Sequence, residues 1–147
     1  MSKKVVMAND HGAVELKEEV KTFLKGAGYE VCDLGVAAEE AADYPDQAEK
    51  ASKEYLKGGY EFGIVMCGTG IGISMAANKM DGIRCALPQN LFAAEMSKVH
   101  NDANFISFGG RIVYGDSVVE MVKVFMESEY EGGRHARRVE KIMNLEN

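Results

Sequence analysis

The stretch that most constrains this chain is a short apolar run, Phe62-Gly63-Ile64-Val65-Met66, leading into Cys67-Gly68-Thr69-Gly70-Ile71-Gly72. The run reads as a buried strand. The segment after it, Ile73-Ser74-Met75-Ala76-Ala77-Asn78-Lys79, is rich in helix formers. A strand, glycines at alternate positions and a helix start make an anion-binding turn. The glycines let backbone N–H groups approach an anion, and the helix dipole favours negative charge there. No Lys follows the last glycine, so the turn is not a P-loop, and its glycine spacing is one residue short of the dinucleotide fingerprint. A cysteine stands at the strand tip, where helix N-terminal amides favour a thiolate. The same residue would also serve as a small core side chain before a tight turn.

The rest of the chain repeats the strand–helix alternation. Lys4 to Ala8 reads as a first strand, followed by the turn Asn9-Asp10-His11-Gly12. Leu16, Val20, Phe23, Leu24 and Ala27 form one face of a helix, with Gly28 as its stop. Tyr29 to Leu34 reads as a second strand and Val36 to Tyr44 as a polar loop. Asp43-Tyr44-Pro45-Asp46 starts a helix that Gly58-Gly59 ends. A fourth strand is expected over Ile83 to Leu87, a helix through Leu91, Ala94 and Lys98, and a fifth strand over Phe105 to Phe108. Asp116 or Ser117 caps the next helix, and a last one runs from Arg134 to about Leu145. Five strands alternating with helices predict a single three-layer α/β/α domain, Rossmann-like, with a five-stranded parallel sheet.

Length and charge narrow the function classes. The 147 residues suit one domain over 1–147, and no apolar run approaches the roughly 20 residues of a membrane span. The N-terminus runs straight into a strand with no signal peptide. Three cysteines, Cys32, Cys67 and Cys85, suggest reduced thiols and a cytoplasmic setting. A net charge of −6 argues against general nucleic-acid binding. Against that background the five arginines stand out, because three of them cluster at Arg134, Arg137 and Arg138. Arginine suits bidentate capture of phosphate or carboxylate.

Parallel sheets bind ligands beyond the carboxyl ends of their strands. Asp10-His11, Cys67 to Gly72 and Arg111 all fall there. His100 and Asn101 precede the fifth strand and belong at the opposite edge. The last helix carries Val139, Ile142 and Met143 on one side, as if to pack on something. These features predict a homodimer with sites shared between chains, the C-terminal helix packing on the partner subunit. No two of His11, His100 and His135 have close metal-ligand spacing, and no CxxC or HExxH occurs, so neither a metal nor a cofactor is expected. Each candidate has an ordinary structural use too: Asp10 as a helix cap, His100 as a solvated loop histidine, the arginines as a charged helix face. Together they suggest a site that holds a small anion and moves a proton.

The residues also carry a resemblance that runs almost end to end. They are Asn9-Asp10-His11, Asp43-Tyr44-Pro45, Cys67-Gly68-Thr69-Gly70-Ile71-Gly72, Ala77-Asn78-Lys79, Gly82-Ile83-Arg84, His100-Asn101-Asp102-Ala103-Asn104, Gly109-Gly110-Arg111 and Glu131-Gly132-Gly133-Arg134-His135. In this order and spacing the chain resembles the family of ribose-5-phosphate isomerase B and the galactose-6-phosphate isomerase subunits. The resemblance implies a Rossmann-like dimer or tetramer with active sites at subunit interfaces. It also implies metal-free isomerisation between ribose 5-phosphate and ribulose 5-phosphate. By position, Cys67 matches the base. Some relatives place a Glu nearby instead, and Ile73 and Ser74 offer no carboxylate here. His100 matches the residue that helps open the furanose ring, with Asp10 beside it. Thr69 and the amides of Gly68, Gly70, Ile71 and Gly72 match the groups that stabilise the enediolate. Asn101 matches a sugar ligand, and His11, Arg111, Arg134 and Arg138 match phosphate and substrate ligands. Asn9 and the order Gly12-Ala13 depart from the commonest pattern without removing a catalytic group. A hexose 6-phosphate such as galactose or allose 6-phosphate is the alternative substrate. A non-catalytic sugar-phosphate sensor would keep the glycine turn and the arginines but would not need Cys67 and His100.

Overall fold

The computed structural model describes residues 3–146. Five strands run parallel: β1 (Lys4–Asn9), β2 (Glu30–Asp33), β3 (Phe62–Cys67), β4 (Cys85–Ala86) and β5 (Phe105–Gly109), in the order β2-β1-β3-β5-β4. The connections hold α1 (Val14–Gly26), α2 (Tyr44–Leu56), α3 (Ile71–Asn78), α4 (Leu91–Val99) and α5 (Val118–Glu127), and α6 (Arg134–Met143) follows. The apolar runs of β1, β3 and β5 are buried along nearly their whole length, as strands covered on both faces must be. Strand alternation divides the core. Val5, Met7, Ile64, Met66, Ile106 and Phe108 pack under α1, α4 and α5. Val6, Ala8, Val65, Cys67 and Phe105 pack under α2 and α3. The expected three-layer α/β/α sandwich is the observed fold.

The local differences have side-chain causes. β4 is two residues long rather than the expected Ile83 to Leu87. The Ile83 N–H donates to Met80 O in a turn, and the Arg84 N–H is taken by the side chain of Asn104 at 2.8 Å. Of the two expected caps of α5, Ser117 accepts from Glu120 N–H, whereas the Asp116 carboxylate accepts from Leu91 N–H at the start of α4. Asp43 makes no side-chain cap to α2, although Pro45 sits in the first turn as expected. The last helix ends at Met143, short of Leu145.

One buried charge cluster ties α1 to the end of β2. Lys17, only 3% exposed, donates to Asp33 Oδ2 at 2.8 Å and to Val36 O at 3.2 Å, and Lys21 donates to the same carboxylate oxygen at 3.0 Å. Burial disfavours the Asp33 carboxylate. Hydrogen bonds from Lys17, Lys21 and Gly35 N–H outweigh that cost and hold its pKa below the ordinary value. The cluster fixes the start of the 34–43 loop beside the carboxyl edge of the sheet.

Candidate active site

At the carboxyl edge the ends of β1, β3 and β5 interlock through backbone contacts. Asp10 N–H donates to Met66 O, Gly110 N–H to Cys67 O, and Arg111 N–H to Gly68 O. Two close approaches explain why glycine is required. A Cβ on Gly12 would lie 2.8 Å from Gly68 N, and one on Gly109 would lie 2.5 Å from the carbonyl carbon of Thr69. Gly70, with φ 79°, turns the chain through the left-handed region into α3. The Ser107 hydroxyl, buried in β5, donates to Gly70 O at 2.7 Å and fixes that turn from below.

The side chains follow from this frame. Cys67 is 4% exposed, and Gly70 N–H donates to its sulfur at 3.2 Å. Thr69, exposed, accepts from Ile71 N–H at 3.2 Å. The N–H groups at the head of α3 have no partner within the helix; that of Gly70 is taken by the Cys67 sulfur and that of Ile71 by Thr69. Asp10 is buried and accepts from Gly12 N–H at 2.8 Å, capping a short 3-10 turn over His11–Ala13, as the capping expectation had it. His11 Nδ1 faces Ala42 N–H at 3.5 Å, which brings the 34–43 loop to the site. Arg111 lies over Gly68, its Nη1 3.2 Å from where a Cβ would stand. A cleft of about 290 Å³ opens between Thr69, Ile71, Leu87, Gln89 and Tyr114.

Two tyrosines here were not singled out from the sequence. The Tyr114 hydroxyl accepts from Gly109 N–H at 2.8 Å. Burial pushes its phenol up, the Gly109 N–H works the other way, and charge on nearby Cys67 adds to the rise. The ring of Tyr44 packs on Gly72, where a Cβ would come within 2.5 Å of it. Tyr114 carries no sequence signal, because only the fold brings its ring back over the tip of β5. Tyr44 stands in a quoted motif, but nothing local indicates its contact.

The remaining candidates lie at the amino edge, as the topology requires. His100 closes α4 and Asn101 follows it, exposed. A clamp holds this turn. Arg84 Nε and Nη2 donate to Asp102 O at 3.0 and 2.6 Å, and Asn104 Nδ2 donates to Gly82 O at 2.8 Å. Arg134 and Arg138 are exposed on α6, which buries only His135. The imidazoles of His100 and His135 stack with centroids 4.1 Å apart and planes 15° apart, a pairing their sequence separation hides. Burial holds His135 below its ordinary pKa. Charge on His100 lowers it further, Glu131 opposes the shift, and Arg134 and Arg138 add to it. A groove of about 620 Å³ also opens at this edge, between Arg84, Asn101, Ile142 and Met143. It lies away from Cys67, Thr69, Asp10 and the amides of the glycine turn, which are all at the other edge.

One chain therefore carries two separate clusters, a thiol, carboxylate and amide cluster at the carboxyl edge and a histidine and arginine cluster at the amino edge. β5 separates them by about 13 Å at roughly 3.3 Å per residue.

Comparison with known proteins agrees along the full chain. The sequence profile of the Ribose/Galactose Isomerase family matches residues 5–142. Ribose-5-phosphate isomerase B of Escherichia coli is 40% identical over 144 residues, covering 98% of this chain and 97% of its own. A ribose 5-phosphate isomerase of Thermotoga maritima superposes with a TM-score of 0.92 at 42% identity, covering 98% of this chain and 99% of its own. Ribose-5-phosphate isomerase B of Mycoplasma genitalium, solved with bound ribulose-5-phosphate, superposes with a TM-score of 0.90 at 34% identity, covering 99% and 97%. With its sheet order, its glycine turn and these matches, the chain belongs to the ribose/galactose isomerase family.

Proposed function

We propose that this protein is an aldose–ketose isomerase that interconverts ribose 5-phosphate and ribulose 5-phosphate through an enediolate, with each active site assembled from two chains. The observation that carries the reading is the Cys67 sulfur held at 3.2 Å by Gly70 N–H at the head of α3. An amide donating to sulfur stabilises its thiolate, and a thiolate can act as base. In this reaction Cys67 removes the proton from the carbon beside the open-chain carbonyl and returns it to the neighbouring carbon. As that proton leaves, negative charge develops on the carbonyl oxygen, and the neighbouring hydroxyl passes its proton to that oxygen as the carbonyl moves to the second carbon. Amides of the Gly68–Gly72 turn and the Thr69 hydroxyl stand where that charge forms, and one such donor is worth about 3–4 kcal/mol in well-measured cases.

His100 assists ring opening, with Asp10 beside the reacting end of the sugar. Asn101 binds a sugar hydroxyl. His11 and Arg111 hold the phosphate from one chain, and Arg134 and Arg138 hold it from its partner. Because the two half-sites lie at opposite edges of one sheet, a homodimer joins them: the amino-edge cluster of one protomer meets the carboxyl edge of the other. α6 packs on the partner, which accounts for its nearly unburied state in the single chain. Exposed apolar side chains at Ile71, Met75, Phe92 and Val113 offer further surface for this contact. The three free thiols suit a cytoplasmic, reducing setting.

The test is turnover on ribose 5-phosphate beside allose 6-phosphate and galactose 6-phosphate. Preference for the pentose supports the reading. Preference for a hexose phosphate moves the substrate and keeps the chemistry. Binding without turnover on any of them contradicts it.

A further inference from the structure

Three side chains from separate parts of the chain meet at the amino edge, and the packing of the fold does not require their chemistry. His100 ends α4, Glu131 lies between α5 and α6, and His135 stands in the first turn of α6. One ligand-type atom of each lies within 4.8 Å of the other two. The backbone sets this up, since Glu131 N–H donates to Val99 O at 3.0 Å and pins Glu131 beside His100. His135 is 5% exposed, and its Nε2 is buried without a hydrogen-bond partner. That nitrogen lies 3.7 Å from Glu131 Oε1, too far for a hydrogen bond. A buried ring nitrogen without a partner, close to a carboxylate and a second imidazole, is an arrangement a cation would complete.

We propose that His100, Glu131 and His135 form a binding site for a borderline divalent cation of the zinc class, and that its occupation inhibits the enzyme by withdrawing His100 from the substrate. Two imidazoles and one carboxylate are the donor set of zinc sites that keep a fourth position for water. Magnesium and calcium prefer all-oxygen surroundings and are not the matching ions. Bonds of about 2.0–2.2 Å in a tetrahedron place ligand atoms about 3.4 Å apart, so the cluster must contract. Two movements supply the contraction: the Glu131 side chain, 57% exposed, turns toward His135, and the half-buried His100 ring swings out of its stack on His135, because face-to-face rings cannot both aim a lone pair at one ion. Arg134 and Arg138 carry like charge nearby and limit the affinity. The inhibition rests on the proposed role of His100; the binding does not.

The test titrates the chelator-treated full chain with Zn2+, reading binding by calorimetry and turnover on ribose 5-phosphate in parallel. One ion per chain is expected, with inhibition over the same concentration range, reversed by chelator. Glu131→Gln and His135→Asn should each raise the Zn2+ needed for both effects at least tenfold, measured against each variant's own metal-free rate. No binding, binding without inhibition, or effects unchanged in both variants (as zinc capture by the Cys67 thiol would give) overturns the proposal. The metal-free rate of the unmodified protein, the zero point of the same titration, reports separately on the isomerase reading.

Discussion

Cys67 sits at the tip of β3 under the first turn of α3, and its sulfur accepts a backbone N–H within the glycine turn. If it is the base, Cys67→Ala should lower turnover about 10³-fold, the range a positioned proton-transfer group contributes. Affinity for a competing sugar phosphate should stay within a few-fold, because the amides and arginines remain. Parallel turnover and isothermal binding measurements check both halves of this prediction, and substantial residual turnover would assign the proton transfer elsewhere. At this scale the sequence was informative wherever chemistry and local geometry coincide. A thiol at a strand tip before alternate glycines can be read from a dozen residues. The stack of His100 on His135 cannot, since no local period relates them and only the path of α6 back to the end of α4 brings the rings together. Tyr114 gives no signal for a different reason: its hydroxyl reaches back five residues to Gly109 N–H through a turn that no apolar pattern marks.

At the scale of elements, two side-chain devices hold the half-sites. In the first, Lys17 and Lys21 converge on Asp33 and anchor the 34–43 loop. Asp33→Asn removes the main counter-charge of buried Lys17 and should cost about 3 kcal/mol in urea unfolding at pH 7, near the low end for a broken buried pair because Val36 O and the Glu18 carboxylate, 3.6 Å away, remain. The pH dependence follows from the direction of the Asp33 shift. Its folded pKa is depressed, so its stabilisation is fully present above the unfolded value of about 3.9 and is lost as the pH falls below it. The parent protein should therefore lose stability more steeply than Asp33→Asn on acidification below about pH 4. In the second device, Arg84 grips Asp102 O with two N–H groups and shapes the turn that carries His100 and Asn101. Arg84→Ala should reduce kcat about 10- to 100-fold, the penalty expected from misplacing a reacting group by about 1 Å. The effect on the thermal transition should be modest. Unchanged kcat would mean that the turn keeps its shape without the clamp. The expected length of β4 fails in this same region. The pattern of apolar residues signals a strand, but it cannot show that the Asn104 side chain takes the Arg84 N–H.

For the whole molecule, the order of strands and helices was legible because each apolar run is followed by a helical face and a turn residue, and right-handed crossovers leave few other arrangements. The division of the candidate site between the two edges of the sheet was legible too, from whether each motif follows or precedes its strand. The packing of the last helix on a partner, expected from Val139, Ile142 and Met143 on one of its sides, belongs to the proposed function. The proposed function requires Cys67 of one protomer and His100 of its partner to serve the same site. It is tested most directly by mixing two inactive variants, Cys67→Ala and His100→Ala, co-expressed or refolded together in equal amounts. Half of the resulting dimers would be mixed, and each of these would hold one site with both residues intact. Turnover on ribose 5-phosphate should then return to about a quarter of the parent rate, as two-fold symmetric exchange requires. A mixture no more active than the separate variants would show that the two residues do not meet across chains and would contradict the account.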